Sequence, residues 1–428
     1  MSHGTRSLRE IASCVSGYDP QALPVAQARE FIGRLVEPVR TVETLAIRTA
    51  LGRVLAAEIV SSIDVPAADN SAMDGYALRG AELPTSGEAV FDNAGSGFAG
   101  QRFEGVLAAG QCVRIMTGAV MPAGLDTVVP QEFVRVEGAR IVVPAGVVRS
   151  GDNRRRAGED LAVGDVALKA GRILTPADVG LIASLGHAEV KVVRRLRVAF
   201  FSTGDELRSL GEPLEPGCVY DSNRYTLWCM LQRLGVELLD LGVVRDEPAA
   251  LEATFRLAAA SADAVITSGG VSVGEADHTK QVMASLGDVL FWRIAMRPGR
   301  PMAIGRIGTE PGAILFGLPG NPVAVMVTFY AFVREALLAM AGAAVEPPTI
   351  LRAASATAIR KKPGRTEYQR GIVGRDADGT LRVALTGAQG SGILRSMSQA
   401  NGLVVLHHGQ GNVAAGDLVD VLPFDGLL

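Results

Sequence analysis

The sequence predicts an α/β protein of several domains, centred on a doubly wound, mostly parallel, three-layer sheet domain. Between about 195 and 340, four apolar runs alternate with helix-like segments, whereas the residues on either side show short β-like runs. A chain of 428 residues is also too long for one ordinary core. We therefore expect an N-terminal helix/β region with an all-β lobe, an α/β domain and a small C-terminal β-barrel.

Residues 1–20 are polar and aperiodic, which predicts a flexible arm. The N-terminal region should then span 21–190. Its helical and linker parts are expected at about 21–50 and 160–190. An amphipathic helix that Pro38 stops is predicted by the helical spacing of five apolar residues, Ala26, Phe31, Ile32, Leu35 and Val36.

The all-β lobe is expected at about 60–155, because the chain there is rich in Val, Gly and Pro. Short β-like runs occur at 112–118, 126–136 and 139–148. After the lobe, residues 175–186 read as a helix with Pro176 at its first position.

The α/β domain is predicted at 191–341 from alternating strand and helix patterns. Buried strands are expected at 196–203, 236–244, 262–268 and 313–318. Helices are expected at 223–235, 247–260, 275–287 and 322–340. A linker with two prolines, at 341–350, leads into a β domain predicted at 349–428, in which the turn DADG at 376–379 separates two strands.

Composition excludes several classes of function. The formal charge of −3 offers no global field for a nucleic acid or an anionic membrane. The four cysteines lack zinc-type spacing, so we expect reduced thiols and a cytoplasmic protein, and the best apolar helix meets Arg334 too soon to span a membrane. The five histidines form no serine-hydrolase or zinc-peptidase motif, and there is neither a Walker lysine nor a GxGxxG loop after a strand.

Four glycine- or acid-bearing loops fall at or near predicted strand-to-helix junctions, at 200–207, 220–224, 266–280 and 316–325. Ligands of open α/β sheets bind at the carboxyl ends of the strands, where these loops should meet. Helix capping is the alternative, since Ser272 and Glu275 have capping-box spacing.

Carboxylates are concentrated in these loops, and we expect them to converge at one sheet edge. Crowded carboxylates suit a hard divalent cation, most naturally Mg²⁺, which can bridge to phosphate oxygens. The alternative for each acid is a helix cap or a surface charge. The residues concerned are Asp205, Glu206, Asp221, Asp246, Glu275 and Asp277.

Two further loops suit anions. In GLPGNP, Asn321 can cap a helix that begins at Pro322, which leaves Gly320 for close approach to a ligand, although a plain helix start is an equal alternative. Arginine binds oxyanions through two parallel hydrogen bonds, and three arginines precede this loop. They are Arg293, Arg297 and Arg300, of which Arg293 could instead pair with a neighbouring acid.

The β lobe has polar groups of its own. One cluster includes Asp69 and Asp74, and others contain Thr117, Arg155 and Asp160. Turn chemistry or charged connections could also explain these residues.

Ten ordered motifs together resemble one family. They are DNSAMDGYAL, IMTGAVMP, RRRAGED, FSTGDEL, YDSNR, LGVVRDEP, ITSGGVSVGEADHTK, RPGRP, GLPGNPVA and QGSG. From about residue 20 to the end, the chain resembles the bacterial MoeA family of molybdopterin molybdenumtransferases and is similar to the C-terminal domain of gephyrin.

The resemblance implies that molybdate is inserted into adenylylated molybdopterin with the help of Mg²⁺, releasing AMP and leaving molybdenum cofactor. It implies catalytic roles for Asp74, Asp160, Glu206, Asp246 and Asp277, of which Glu206, Asp246 and Asp277 would hold the metal. It implies substrate binding by Thr117, Arg155, Ser268, Gly269, Gly270, Ser272, Arg293, Arg297, Arg300, Pro319, Gly320, Asn321 and Ser391.

The family is a homodimer with a composite active site, in which the β lobe of one subunit faces the sheet domain of the other. The resemblance also allows contacts with a molybdopterin adenylyltransferase and with apo-molybdoenzymes. Family members often have lysine where this chain has Arg293, Arg297 and Arg300, and an apolar residue where it has Arg154. Two alternative functions remain, a molybdopterin adenylyltransferase and a gephyrin-like scaffold.

Overall fold

The part of the N-terminal segment that can be described contains a helix. The structure, a computed structural model, describes residues 7–15, 17–271, 277–310 and 312–426, without the side chain of Asp277. A helix spans Leu8–Ser13, and Leu8, Ile11 and Val15 are buried in the main core. The predicted flexible arm is therefore wrong for this segment, because apolar side chains at helical spacing bury against the next helix and the sheet.

The predicted amphipathic helix is confirmed at Val25–Leu35, with Phe31 and Ile32 buried but Ala26 exposed. Strand Val42–Ala46 pairs with Glu189–Val193, and Ile59–Val60 pairs with Val166–Leu168. The helix predicted at 175–186 is confirmed at Pro176–Ser184, where Thr175 and Asp178 form a capping box. The two strand pairs and the helix Pro176–Ser184 enclose a small core of their own, whereas the helix Val25–Leu35 packs in the main core.

The β lobe is confirmed as a six-stranded sheet. In sheet order its strands are Thr127–Pro130, Gly75–Leu78, Gln111–Ile115, Glu88–Gly97, Arg140–Pro144 and Arg135–Glu137. A short antiparallel pair, Asn70–Ser71 with Arg154–Arg155, joins two of the polar motifs.

The central sheet also has six strands, labelled in chain order. They are β1 Arg197–Thr203, β2 Glu237–Val244, β3 Ala264–Ser268, β4 Gly287–Arg293, β5 Pro301–Ile307 and β6 Ala313–Leu318. The order is β2-β1-β3-β6-β5-β4, with parallel pairing from β2 to β6 and antiparallel pairing of β5 with β6 and with β4. The mostly parallel sheet is thus confirmed, and the β4–β5 hairpin is an addition to the prediction.

Helices cover both faces, which makes three layers. They span Ser222–Arg233, Pro248–Ser261, Asp277–Leu286 and, with a π-helical turn at Phe329–Val333, Pro322–Met340. Alternate strand residues face opposite ways: Phe200 and Ile266 join one core, whereas Phe201 and Val265 join the other. Among the described residues, only the helix Pro322–Met340 is long and apolar enough to cross a membrane, and 72% of that apolar window is buried in the fold.

The C-terminal domain is a closed five-stranded barrel, as predicted. Strand Thr366–Arg375 pairs with both Leu381–Leu385 and Gly402–Leu406, which closes the barrel through Leu351–Ser355 and Leu418–Pro423. A helix, Leu394–Gln399, lies within the same domain. The short strand Met296–Arg297 of the central domain adds to Thr366–Glu367, so the two domains share backbone hydrogen bonds.

Candidate active site at the carboxyl edge of the central sheet

One cavity of about 860 Å³ lies at the carboxyl ends of the parallel strands. The loops that follow β1, β2, β3 and β6 line it, together with the loop before β5 and a barrel loop at 389–391. Eleven of the predicted site residues are brought together here, namely Glu206, Asp246, Ser268, Gly269, Gly270, Arg297, Arg300, Pro319, Gly320, Asn321 and Ser391.

Glycine is required where β3 ends. Gly269 has φ +100°, and a Cβ there would lie 2.3 Å from the carbonyl oxygen of Thr203 at the end of β1. Its N–H donates to the carbonyl of Leu318 at the end of β6, at 3.1 Å. The loop can therefore pass close to both neighbouring strands only without a side chain.

Asn223 links two of the lining loops. Its Nδ2 donates to Ser268 Oγ at 2.8 Å and to the carbonyl of Gly320 at 2.6 Å, while its buried Oδ1 has no hydrogen-bond partner among the residues that the structure describes. The sequence showed this residue only within the YDSNR motif and gave it no role. Its amide holds the ends of β3 and β6 in register at the cavity wall.

The acids do not all share one role. Glu206 and Asp246 line the cavity, and Asp246 accepts a hydrogen bond from Thr279 Oγ1 at 2.9 Å. Asp205 lines an adjacent cavity instead and accepts from the N–H of Asp246 at 3.3 Å.

The prediction for Asp221 is wrong, and the capping alternative holds. Asp221 is buried and accepts hydrogen bonds from Ser202 Oγ and from the N–H of Arg224, both at 3.1 Å. It therefore caps the helix Ser222–Arg233 rather than facing the cavity.

The described carboxylates of the cavity could supply two of the oxygen ligands of a magnesium ion. The described residues contain no group of three or more metal-ligating side chains. Glu206 and Asp246 nevertheless share the cavity, and Mg²⁺ is typically held by one or two carboxylates with water and phosphate oxygens completing its shell. Ser272, Glu275 and the side chain of Asp277 lie outside the described residues.

Positive charge faces these acids. Arg297 and Arg300 are exposed, and neither forms an ion pair or a side-chain hydrogen bond within the described part of the chain. The barrel supplies a third arginine that sequence reasoning missed, Arg365, which is held by two contacts of 2.8 Å to the buried carboxylate of Glu367.

The placement of Arg293 differs from the prediction. It ends β4, outside the residues that line the cavity, and its backbone bonds to Pro20 and Leu23. Within the described residues it makes no ion pair.

The helix that follows GLPGNP begins as predicted, with Asn321 at the N-cap and Pro322 in the first turn. The Asn321 side chain makes no capping hydrogen bond, so it remains available at the cavity wall. The N–H of Val323 donates to the carbonyl of Ser391 at 3.0 Å, which fastens the barrel loop to the helix start.

The predicted residues of the β lobe lie apart from this cavity. Asp74, Thr117, Arg155 and Asp160 are all exposed, and none of them lines it. Asp74 Oδ1 accepts from the N–H and the hydroxyl of Thr117, at 2.7 and 2.8 Å, and these two bonds lower the pKa of Asp74.

Arg154 forms an ion pair with Asp69, with 3.6 Å between Arg154 Nη1 and Asp69 Oδ2. The sequence alone did not predict this partner. This ion pair sits beside the short strand pair that joins Asn70 to Arg155.

Family comparisons agree with this architecture. The MoeA N-terminal region (domain I and II) matches residues 23–186, a probable molybdopterin binding domain matches 199–339, and the MoeA C-terminal region (domain IV) matches 352–424. The chain belongs to the MoeA family.

Relatives with assigned names cover nearly the whole chain. A MoeA relative from Haemophilus influenzae, named molybdopterin molybdenumtransferase, is 42% identical over 95% of this chain and 100% of its own length. Molybdopterin molybdenumtransferase 2 of Mycobacterium tuberculosis is 36% identical over 93% of this chain and 98% of its own. The crystal structure of a molybdopterin biosynthesis MoeA protein from Pyrococcus horikoshii superposes with a TM-score of 0.81 at 27% identity, covering 94% of this chain and 100% of that one.

In this MoeA chain, arginines and carboxylates line the same cavity. Among the described residues, the guanidinium groups of Arg297 and Arg300 have no acidic partner and can pair with oxyanions, while Glu206 and Asp246 can accept a cation or donors from the ligand. The combination suits a ligand that carries both phosphate and a bound metal.

Proposed function

We propose that the chain is a molybdopterin molybdenumtransferase, which inserts molybdenum from molybdate into adenylylated molybdopterin and releases AMP. The single observation that carries this proposal is the cavity itself, which is lined by Glu206, Asp246 and two arginines, Arg297 and Arg300, that form no ion pair with any described residue. The names of the relatives at 36–42% identity support the same reaction.

The chain's own groups have distinct tasks in this reaction. Arg297, Arg300 and Arg365 attract molybdate and the pyrophosphate of the substrate and offset their mutual repulsion. Asn223 ties the ends of β3 and β6 together, and Gly269 lets the loop after β3 pass close to β1, so these two residues shape the cavity wall against which the substrate would bind. No covalent nucleophile is needed.

Glu206 and Asp246 would hold Mg²⁺, with Asp277 as the third predicted ligand. When bound, Mg²⁺ supplies a positive charge that neutralises phosphate oxygens as AMP departs. Asp246 is oriented for this task by the hydroxyl of Thr279. We place the enzyme in the cytoplasm, where its four cysteines, all free thiols in the fold, stay reduced.

A homodimer completes the site in this proposal. The exposed set of the β lobe, Asp74, Thr117, Arg155 and Asp160, does not line the cavity of its own chain. In a symmetric dimer each lobe can face the sheet domain of the other subunit, so these side chains would cover the open side of the other subunit's cavity. Contacts with a molybdopterin adenylyltransferase and with apo-molybdoenzymes would then deliver the substrate and take the product.

The reaction can be tested directly. Purified protein is mixed with adenylylated molybdopterin, molybdate and Mg²⁺, AMP is measured by chromatography, and an apo-molybdoenzyme reports the cofactor. We expect AMP and active molybdoenzyme, with both abolished by EDTA and restored by Mg²⁺. Synthesis of adenylylated molybdopterin from ATP would instead identify an adenylyltransferase, and the absence of both products would leave a scaffold.

A further inference from the structure

The N-terminal segment lies along the outer edge of the central sheet. We call residues 7–15 and 17–22 the strap. They lie beside β4, which is the last strand in the sheet order. The N–H of Leu8 donates to Asp288 Oδ2 at 3.1 Å near the start of β4, and the N–H of Arg293 at its end donates to the carbonyl of Pro20 at 2.7 Å. The strap thus follows β4 in the same direction and covers part of an edge that would otherwise present unpaired backbone groups.

Buried side chains hold the strap in place. Tyr18 Oη accepts a hydrogen bond from Trp292 Nε1 at 2.8 Å, and Trp292 is the residue before the end of β4. Both aromatic rings contact Phe31, with ring centroids 6.0 Å apart for Tyr18 and 5.1 Å apart for Trp292. Three apolar residues of the strap are only 2–3% exposed, namely Leu8, Ile11 and Val15.

The end of β4 leads into the arginine loop, residues 294–300, which connects β4 to β5 and lines the cavity from 296 to 300. Directly after the strap, Leu23 donates its N–H to the carbonyl of Arg293 at 3.1 Å and accepts from the N–H of Ala295 at 2.8 Å. On the barrel side, the N–H of Thr366 donates to the carbonyl of Ala295 at 2.9 Å. The base of the arginine loop is therefore held from two sides, and the strap leads into one of them.

The strap lies outside the region that matches the family. The match to the MoeA N-terminal region begins at residue 23. The shared fold therefore does not account for the helix Leu8–Ser13 or for the bond between Tyr18 and Trp292. A hairpin at the edge of a sheet has a neighbouring strand on one side only, and such segments open more readily than the centre of a sheet. Contacts on the outer side of β4 should reduce that opening.

We propose that the strap is a positioning element, which fixes the end of β4 and thereby holds Arg297 and Arg300 of the arginine loop at the cavity. The strap does not line the cavity and does not touch the ligand. The inference rests on the proposed function for the identity of the ligand, molybdate with adenylylated molybdopterin. The effect of the strap on the loop itself can be measured without that reaction.

The physical effect is on the population of the binding-competent loop. When the strap is released, the arginine loop is in place for only a fraction of the time, and the apparent affinity for a ligand falls by that fraction. Bound substrate then keeps the arginines in place, so the catalytic step proceeds as before. Release of the strap should therefore raise KM and leave kcat nearly unchanged.

The test uses two full-length variants with matched controls. Ile11→Asp places a charge in the core and should release the strap, whereas Ser13→Asp places the same charge on the exposed side of the same helix. Tyr18→Phe removes only the hydroxyl that accepts from Trp292. Its control is Tyr225→Phe, because Tyr225 is exposed on the helix Ser222–Arg233 and its hydroxyl also accepts from a neighbouring side chain.

Hydrogen–deuterium exchange, followed by mass spectrometry, compares residues 293–295 with residues 264–268 of β3, and KM and kcat for molybdate come from AMP release. Exchange at 293–295 should quicken by about threefold to tenfold in Tyr18→Phe, the usual worth of one hydrogen bond, and by more in Ile11→Asp. Residues 264–268 should keep their wild-type rates. In Ile11→Asp, KM should rise by about twofold to tenfold while kcat stays within about twofold of wild type. Both controls should match the wild type.

Two results would overturn the positioning role. One is exchange at 293–295 that stays unchanged, or that quickens equally with 264–268, since the strap would then contribute only to overall stability. The other is a wild-type KM in a folded Ile11→Asp protein that releases AMP. If Ile11→Asp does not fold, exchange in Tyr18→Phe decides. Quickening confined to 293–295 in a protein that releases no AMP would uphold the effect of the strap on the loop and reject the proposed reaction.

Discussion

The central sheet and the β lobe carry polar motifs of similar composition, yet the fold uses them differently. At the sheet edge, four strand ends bring Glu206, Asp246 and the arginines into one cavity, where Arg297 and Arg300 have no protein partner among the described residues. In the lobe, Asp74 is already bonded to Thr117 and stays exposed. The sheet edge therefore forms a cavity within one chain, whereas the polar residues of the lobe lie on its surface.

The largest expected effect is the loss of AMP release when an acid of the cavity is replaced, compared with replacement of an acid on the protein surface. Glu206→Gln keeps the shape but removes the charge that would hold the metal, so AMP release should fall by at least about a hundredfold. The matched control is Glu252→Gln, since Glu252 is paired only with Arg256 on a helix surface. Equal activity of the two variants would remove Glu206 from the site.

Mixing two inactive variants tests whether the lobe and the sheet act across subunits. Asp74→Ala and Glu206→Gln should each be nearly inactive alone. After subunit exchange, half of the dimers would be mixed and would carry one intact site, so about a quarter of the wild-type activity should return. AMP release is measured before and after exchange. No recovery would mean that Asp74 and Glu206 serve the same subunit or that Asp74 is dispensable to the site.

The two regions should also differ in how they tolerate an added methyl group. Gly269→Ala adds backbone overlap with Thr203 to a strained φ of +100°, so it should lower the free energy of unfolding by about 3–5 kcal/mol. Gly118→Ala in the lobe has φ +80° but open space, so strain alone should cost about 1–2 kcal/mol. Urea titrations of both variants measure the difference, and similar values would show that the strand ends are not tightly packed.

The smallest effect concerns the lobe alone. The bond from the Thr117 N–H contributes most to the low pKa of Asp74, and the hydroxyl bond contributes next. In Thr117→Val the pKa of Asp74 should rise, because a donor to the carboxylate is lost, but it should stay below the usual value for an aspartate, because the bond from the backbone N–H remains. Carbon-detected NMR titration follows the Asp74 carboxyl group, with Thr44→Val as an exposed control in a different strand. An unchanged pKa would exclude the hydroxyl bond in solution.

The sequence predicted the central sheet well because its strands are continuous apolar runs, and strand ends identified Glu206, Asp246 and Gly269 as neighbours. The sequence did not predict the cavity residues that come from a distant part of the chain. Arg365 and Gln389 line the cavity but belong to the barrel domain. That domain is joined to the central domain by backbone pairing of the strand Met296–Arg297 with residues 366–367, and no local sequence pattern predicts this contact.

Other misses have local causes. The sequence around Asp221 fits either a metal ligand or a helix cap. Only the structure distinguishes these roles, because it shows Asp221 buried and bonded to Ser202 and Arg224. The β4–β5 hairpin was hidden by its arginine-rich connection, which has the composition of a loop. The folded segment Leu8–Val15 was missed because its apolar residues are few and are buried only by distant elements.

The central claim is that an oxyanion binds where the sheet edge meets the barrel loop. Anomalous diffraction from crystals soaked in tungstate tests it most directly. The account predicts a tungsten peak in this cavity, within hydrogen-bonding reach of Arg297, Arg300 or Arg365. A peak confined to the β lobe, or no peak in this cavity at saturating tungstate, would contradict it.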